Sequence, residues 1–157
     1  MKLTVRHDIE APLAYVFGEL NDVAAWERSA LRRGAEVTRT TGVKDLATGA
    51  SWLIKFAFRG KMRQVALRLT TLEPNASLGF SGTGASLDGL AGIDLLELAS
   101  RRTRLSVTLD VRPRTIAARV ILQSLRIAKN RINRRFSDRV IQICADIETR
   151  YRQSPQR

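Results

Sequence analysis

Apolar and polar residues alternate over the first ten positions of the chain. Leu3, Val5, His7 and Ile9 fall on one side, and Thr4, Arg6, Asp8 and Glu10 on the other. This is the period-two pattern of a half-buried strand over Lys2–Glu10. After Ala11-Pro12 the period changes. Leu13, Val16, Phe17 and Leu20 recur at spacings of three and four, which predicts an amphipathic helix with Pro12 in its first turn. Asn21-Asp22 interrupts it, and Asp22 is placed to cap a second short helix carrying Trp26.

Alternation returns beyond Gly34. A short strand over Ala35–Thr41 centres on Val37, and Lys44–Gly49 reads as a loop. Ser51–Arg59 puts Trp52, Ile54, Phe56 and Phe58 on one face and Lys55 and Arg59 on the other. Gly60-Lys61 predicts a tight reversal into a strand over Met62–Leu72, with Val65, Leu67 and Leu69 on one face. Glu73-Pro74-Asn75 is a turn, and Leu78 and Phe80 mark a short strand. Gly82, Gly84 and Gly89 predict a loose connection. Strands follow over Leu90–Leu98 and Arg104–Arg112, joined at Arg101-Arg102 and ended by Pro113. Short polar turns between alternating segments make an antiparallel meander.

The last segment has helical periodicity. Ala118, Ile121, Leu125, Ala128, Ile132, Phe136, Val140, Ile143 and Ile147 step by threes and fours, with Thr115 placed to cap the start. Unbroken from Ile116 to Tyr151, such a helix is about 54 Å long; one internal bend is compatible with the pattern. The element order is therefore strand, two short helices, six strands and one long helix. A sheet with one apolar face has to bury it, and the long helix is the natural cover. The expectation is an α+β fold with a ligand cavity between sheet and C-terminal helix. Residues 1–157 show no repeat, linker or low-complexity tract, so one domain is expected.

Several of these segments carry a resemblance. Ile9-Glu10-Ala11-Pro12, then Val16-Phe17, then Leu20-Asn21-Asp22 and Trp26, is similar to the N-terminal signature of the SRPBCC superfamily. Leu72-Glu73-Pro74 resembles its middle, and Thr103-Arg104-Leu105 followed by a long terminal helix resembles its end. That superfamily includes START lipid-transfer domains, the birch-pollen allergen family and polyketide cyclase/dehydrase-like bacterial proteins. The resemblance implies a helix-grip fold: a curved antiparallel sheet of about seven strands around a long C-terminal helix, with a hydrophobic cavity between them. It implies no single activity, because the fold hosts binders, carriers and enzymes.

Composition narrows the function. With 44% hydrophobic residues the chain has material for a core, and no apolar run approaches the ~18–20 residues a bilayer span needs. The charged, alternating N-terminus does not read as a signal peptide, so a cytoplasmic location is expected. One cysteine, Cys144, and one histidine, His7, leave neither an internal disulfide nor a His- or Cys-based metal site, and no cofactor is implied. A P-loop, a dinucleotide fingerprint and a nucleophile elbow are absent.

The net charge of +12 is uneven: Arg112–Arg157 holds 12 basic and 3 acidic residues. Projected at 100° per residue, Arg119, Arg126, Arg131, Arg134 and Arg135 fall opposite the apolar stripe. They form either a plain solvated face or a contact for an acidic protein or an anionic membrane. Nucleic acid ranks below these, since no aromatic residues interleave with the arginines.

The candidate ligand-binding residues are Phe17, Trp26, Trp52, Ile54, Phe56, Phe58, Leu67, Phe80 and Leu125; the alternative for each is ordinary core. His7, Arg63, and either Asp94 or Glu97 are candidate polar groups in the cavity, with outward-facing or structural roles as the alternative. The leading expectation is binding or transport of a small hydrophobic molecule or lipid. A polyketide cyclase/dehydrase-like enzyme stands second, with its catalytic residues unassigned. An interaction protein docking through its basic helix stands third.

Overall fold

The computed structural model describes residues 1–40, 47–58 and 60–155. In chain order the elements are β1 (Lys2–Ile9), α1 (Leu13–Leu20), α2 (Val23–Arg32), β2 (Glu36–Arg39), β3 (Ser51–Phe58), β4 (Lys61–Glu73), β5 (Ser77–Gly84), β6 (Leu87–Ala99), β7 (Arg102–Pro113), α3 (Ile116–Leu125) and α4 (Lys129–Gln153). A 3-10 turn over Arg126–Ala128 separates the last two helices. Thr41, Lys44 and Arg59, where two predicted strands end and a predicted loop begins, lie outside the described residues.

Among the described residues the strands form one antiparallel sheet in the order β1-β7-β6-β5-β4-β3-β2. The meander accounts for β2 to β7, and β1 closes the far edge by pairing with β7 from Lys2↔Asp110 to Ile9↔Thr103. Register shifts at Leu69/Thr71 and Glu97/Ala99 bend the two longest strands, as an extra residue in one strand does. The first shift also brings backbones close: a Cβ on Gly79 would sit 3.0 Å from that of Thr71.

One prediction about glycine is corrected. Gly82, Gly84 and Gly89 do not loosen a connection; they are paired strand positions, Gly82 lying between Leu67 and Gly89. β6 accordingly begins at Leu87, three residues earlier than the alternation indicated. Glycine marks turns when a positive φ is needed, as at Gly60 with φ +75°. Here it marks a crowded strand, where a Cβ on Gly82 would lie 3.4 Å from Val65 Cγ1.

Local chemistry starts the helices. The Ala25 amide donates to Asp22 Oδ1 at 3.1 Å and the Ala118 amide to Thr115 Oγ1 at 3.1 Å, so both predicted caps form. α4 packs chiefly on β1, burying Val140, Cys144 and Ile147 in a core with Val5, Ile9, Val16, Leu69 and Leu105. Polar contacts pin its C-terminal half. The Glu10 amide donates to Glu148 at 2.8 Å, Arg150 pairs with Glu19 at 3.0 Å, and the Tyr15 and Tyr151 rings meet edge-on at 5.0 Å. Thr103, fully buried, donates its hydroxyl to the Ala11 carbonyl at 2.9 Å and ties β7 to the turn before α1.

α3 behaves differently. Of its apolar side chains only Ala118 is buried. Ile121, in the stripe expected to face the core, is exposed, and so are Ile116, Val120 and Ile127. The long helix is thus two helices of unlike burial, with the break where a bend was compatible with the pattern.

Cys144 gives a test of the α4 packing. Burial, and then the Glu148 carboxylate, push its thiol up to about 11 from 9.0. Between those values the unfolded chain releases this proton and the folded one retains it, so stability falls as pH rises from about 9 to about 11. At pH 8 the native protein is expected to react with Ellman's reagent only at its rate of opening, and immediately in urea. Fast stoichiometric labelling of the native protein would contradict the packing.

Candidate functional site

α2 places its residues by helical spacing. Val23, Trp26, Glu27 and Ala30 share the side turned toward the sheet, and Leu20 at the end of α1 continues it. Opposite them the inward positions of five strands present Val37 (β2), Trp52 and Ile54 (β3), Leu67 (β4), Leu78 and Phe80 (β5) and Ile93 (β6). Register sets these neighbours: Val37 faces Ile54, Trp52 faces Leu67, and Leu78 faces Ile93. Between α2 and the sheet lies a cavity of about 280 Å³, just below the usual range for ligand sites.

Its wall is almost wholly apolar. The Trp52 and Phe80 rings stand 6.4 Å apart and tilted by 53°. The Trp26 indole donates to the Leu20 carbonyl at 3.0 Å, which fixes the ring where it borders both solvent and cavity. Among the described residues, Glu27 is the only ionisable one in the lining. Arg39 on β2 holds its carboxylate, with Nε at 3.0 Å from Oε1, and both side chains are partly exposed. Glu27 thus lines the cavity, and Arg39 holds it from β2, the last strand of the sheet order.

The expected site residues divide accordingly. Trp26, Trp52, Ile54, Leu67 and Phe80 come together in the lining. Phe17 is buried in the core under α1. Phe56 is half-buried outside the lining, and Phe58, 48% exposed at the end of β3, lies 5.7 Å from the Arg63 guanidinium that covers its ring. Leu125 is half-buried on α3, also outside the lining.

The position of the cavity is therefore corrected. It lies between the sheet and α2, and none of its lining residues belongs to the C-terminal helices. α4 is packed against β1 through Val140, Cys144 and Ile147, so that end of the inner face is already filled.

The expected polar groups stand apart from the cavity as well. His7 shares the inward side of β1, half-buried opposite Leu105. Arg63 keeps the inward register of Val65 but is engaged at the β3–β4 end with Phe58. Asp94 is exposed on the outer side of β6, opposite Ser77 and Ser106. Glu97 is exposed at the far end of the same strand, opposite Thr103. Near that end Arg104 holds the Asp8 carboxyl below its ordinary value by a hydrogen bond of 2.9 Å. Arg126, Arg131, Arg134 and Arg135 are all exposed.

Glu27 was not among the expected residues, nor were Val23, Ala30, Val37, Leu78 and Ile93. The signal for the α2 set was present. Val23, Trp26, Glu27 and Ala30 are spaced i, i+3, i+4 and i+7, and a carboxylate in such a stripe marks a place where the apolar side is not simply core.

No family model matches the chain, and no curated protein matches it in sequence. Solved structures match it in fold. The ZhuI aromatase/cyclase from Streptomyces sp. R1128 is 15% identical, with 96% of this chain and 94% of that one covered and a TM-score of 0.67. A START superfamily protein from Mycobacterium smegmatis is 10% identical over 97% of both chains, at a TM-score of 0.64. Ara h 8.0201 is 13% identical over 98% and 99%, at 0.60. The chain has the helix-grip fold of SRPBCC-type proteins. At these identities the likeness extends to the fold alone.

Proposed function

We propose that this protein binds a small, predominantly apolar molecule in the cavity beneath α2, with one hydrogen-bonding group of that molecule turned toward the Glu27–Arg39 pair. The observation that carries this is the lining: of its twelve described residues eleven are apolar, and the twelfth is a carboxylate held by an arginine on β2. Removing about 200 Å² of apolar ligand surface from water contributes about 5 kcal/mol before ordering costs. The pair can orient a hydroxyl or amide that would otherwise be buried without a partner. An enzymatic role of the cyclase/dehydrase type stands behind this reading. It would require Glu27, the one ionisable group among the described lining residues, to move a proton while paired with Arg39.

The chain supplies its own reporter, because its two tryptophans, Trp26 and Trp52, both line the cavity. Titration with N-phenyl-1-naphthylamine, a neutral apolar fluorophore, is expected to show saturable one-to-one binding with energy transfer from tryptophan. Linear, non-saturating fluorescence with tryptophan emission unchanged would overturn the reading.

A further inference from the structure

Ile116 and Val120, one helical turn apart on α3, and Ile127 in the following 3-10 turn are 83%, 59% and 94% exposed. They form an aliphatic ridge that no other part of the described chain covers. Single exposed apolar residues are ordinary; three large ones on one short segment are not.

The charge around the ridge is equally one-sided. From Thr115 to Ser137 the sequence contains no aspartate or glutamate, but it holds Arg119, Arg126, Lys129, Arg131, Arg134 and Arg135. All six are exposed. Among the described residues seven ion pairs form, and none involves any of the six. On one flank of the ridge, between the start of β1 and α3, a cleft is lined by Lys2, Arg119, Arg126 and Lys129, with no carboxylate among the described residues of its wall.

From this arrangement we infer that the segment from α3 to the start of α4 docks on an anionic lipid bilayer. Ile116, Val120 and Ile127 enter the acyl boundary, and the flanking cations, including the cleft, take lipid phosphates. An aliphatic ridge set among unpaired cations matches the two layers of such a surface, apolar below and negative at the headgroups. An acidic polymer would satisfy the cations but leave the ridge in water. A nucleic acid would do the same, and the ridge offers no ring on which a base could stack. Docking does not depend on what the cavity beneath α2 holds.

The test is flotation with vesicles of phosphatidylcholine, with and without one third phosphatidylglycerol. The wild-type protein is expected to float with the anionic vesicles, weakly with neutral ones, and less at high salt. The triple variant Ile116→Gln, Val120→Gln, Ile127→Gln is expected to bind anionic vesicles at least tenfold more weakly. Its melting temperature and naphthylamine binding should not change, since the three side chains are exposed. A second measurement reads insertion directly. A polarity-sensitive fluorophore on an Ile127→Cys variant, with Cys144 buried and not labelled, should shift to the blue on anionic vesicles. Failure of the wild type to bind anionic vesicles would overturn the inference. So would undiminished binding by the triple variant, or tighter binding to polyglutamate than to vesicles; either outcome would mean adsorption by charge alone.

Discussion

Replacement of Ala30 by Trp is expected to abolish saturable binding of the neutral naphthylamine probe, weakening it at least tenfold, about 1.4 kcal/mol. Ala30 lies on the cavity side of α2 and its methyl group is part of the wall. An indole built there adds a large group to the wall and occupies space that a ligand needs within a cavity of about 280 Å³. Overpacking a filled core costs about 1–3 kcal/mol. Here the added rings enter existing space, so the melting temperature should change little. The two readouts together make the test specific: binding is lost while the fold is kept. If the variant binds the probe as the wild type does, the probe sits elsewhere and the cavity beneath α2 is not the site. Loss of binding with collapse of the melting transition would mean that the cavity is too tight to admit a side chain, and therefore a ligand.

Ile147→Ala is expected to have the largest effect on stability, about 2–5 kcal/mol by the usual range for deleting a buried aliphatic side chain and leaving a cavity. Ile147 is 1% exposed, in the same core as Ile9 and Val16. It is flanked by the residues that fasten α4: Glu148 accepts the Glu10 amide and Arg150 meets Glu19. The loss should appear as a lower urea midpoint with little change in slope. Ile127→Ala is the matched control, the same deletion on the same C-terminal segment at a side chain 94% exposed; it should cost less than about 0.5 kcal/mol. Equal costs at the two positions would mean that α4 is not held to β1 through this contact.

That contrast bears on what could be read from sequence. Ile147 and Ile127 are the same residue in segments of the same periodicity, and the residue pattern shows only that a helix has an apolar stripe. Along α4 the stripe was read correctly, because Val140, Cys144 and Ile147 meet a sheet whose alternation was equally plain. Along α3 it was misread. Ile121 belongs by its spacing to the inward stripe and is exposed, while Ile116 and Val120 form a second stripe, which periodicity cannot distinguish from a buried one. The sheet shows the same limit. Trp52, Ile54, Phe56 and Phe58 have identical parity, yet only the first two reach the cavity; parity sets the face and not the distance along it.

The amino-acid sequence by itself determined the element order up to β7, the helix caps at Asp22 and Thr115 and the inward faces of most strands. Each depends on contacts within a few residues or on periods of 2 and 3.6, and these are written directly in the chain. It also determined that the cationic excess lies in the last third. Only the tertiary structure decided where the empty space is. A cavity is the volume that packing leaves over. Its position beneath α2, and not beneath the C-terminal helix, follows from α4 filling the inner face at β1. The Glu27–Arg39 pair joins residues on different elements, and so does the meeting of Val37, Trp52 and Ile93. No local pattern encodes these meetings, because they form only when the sheet is assembled in register.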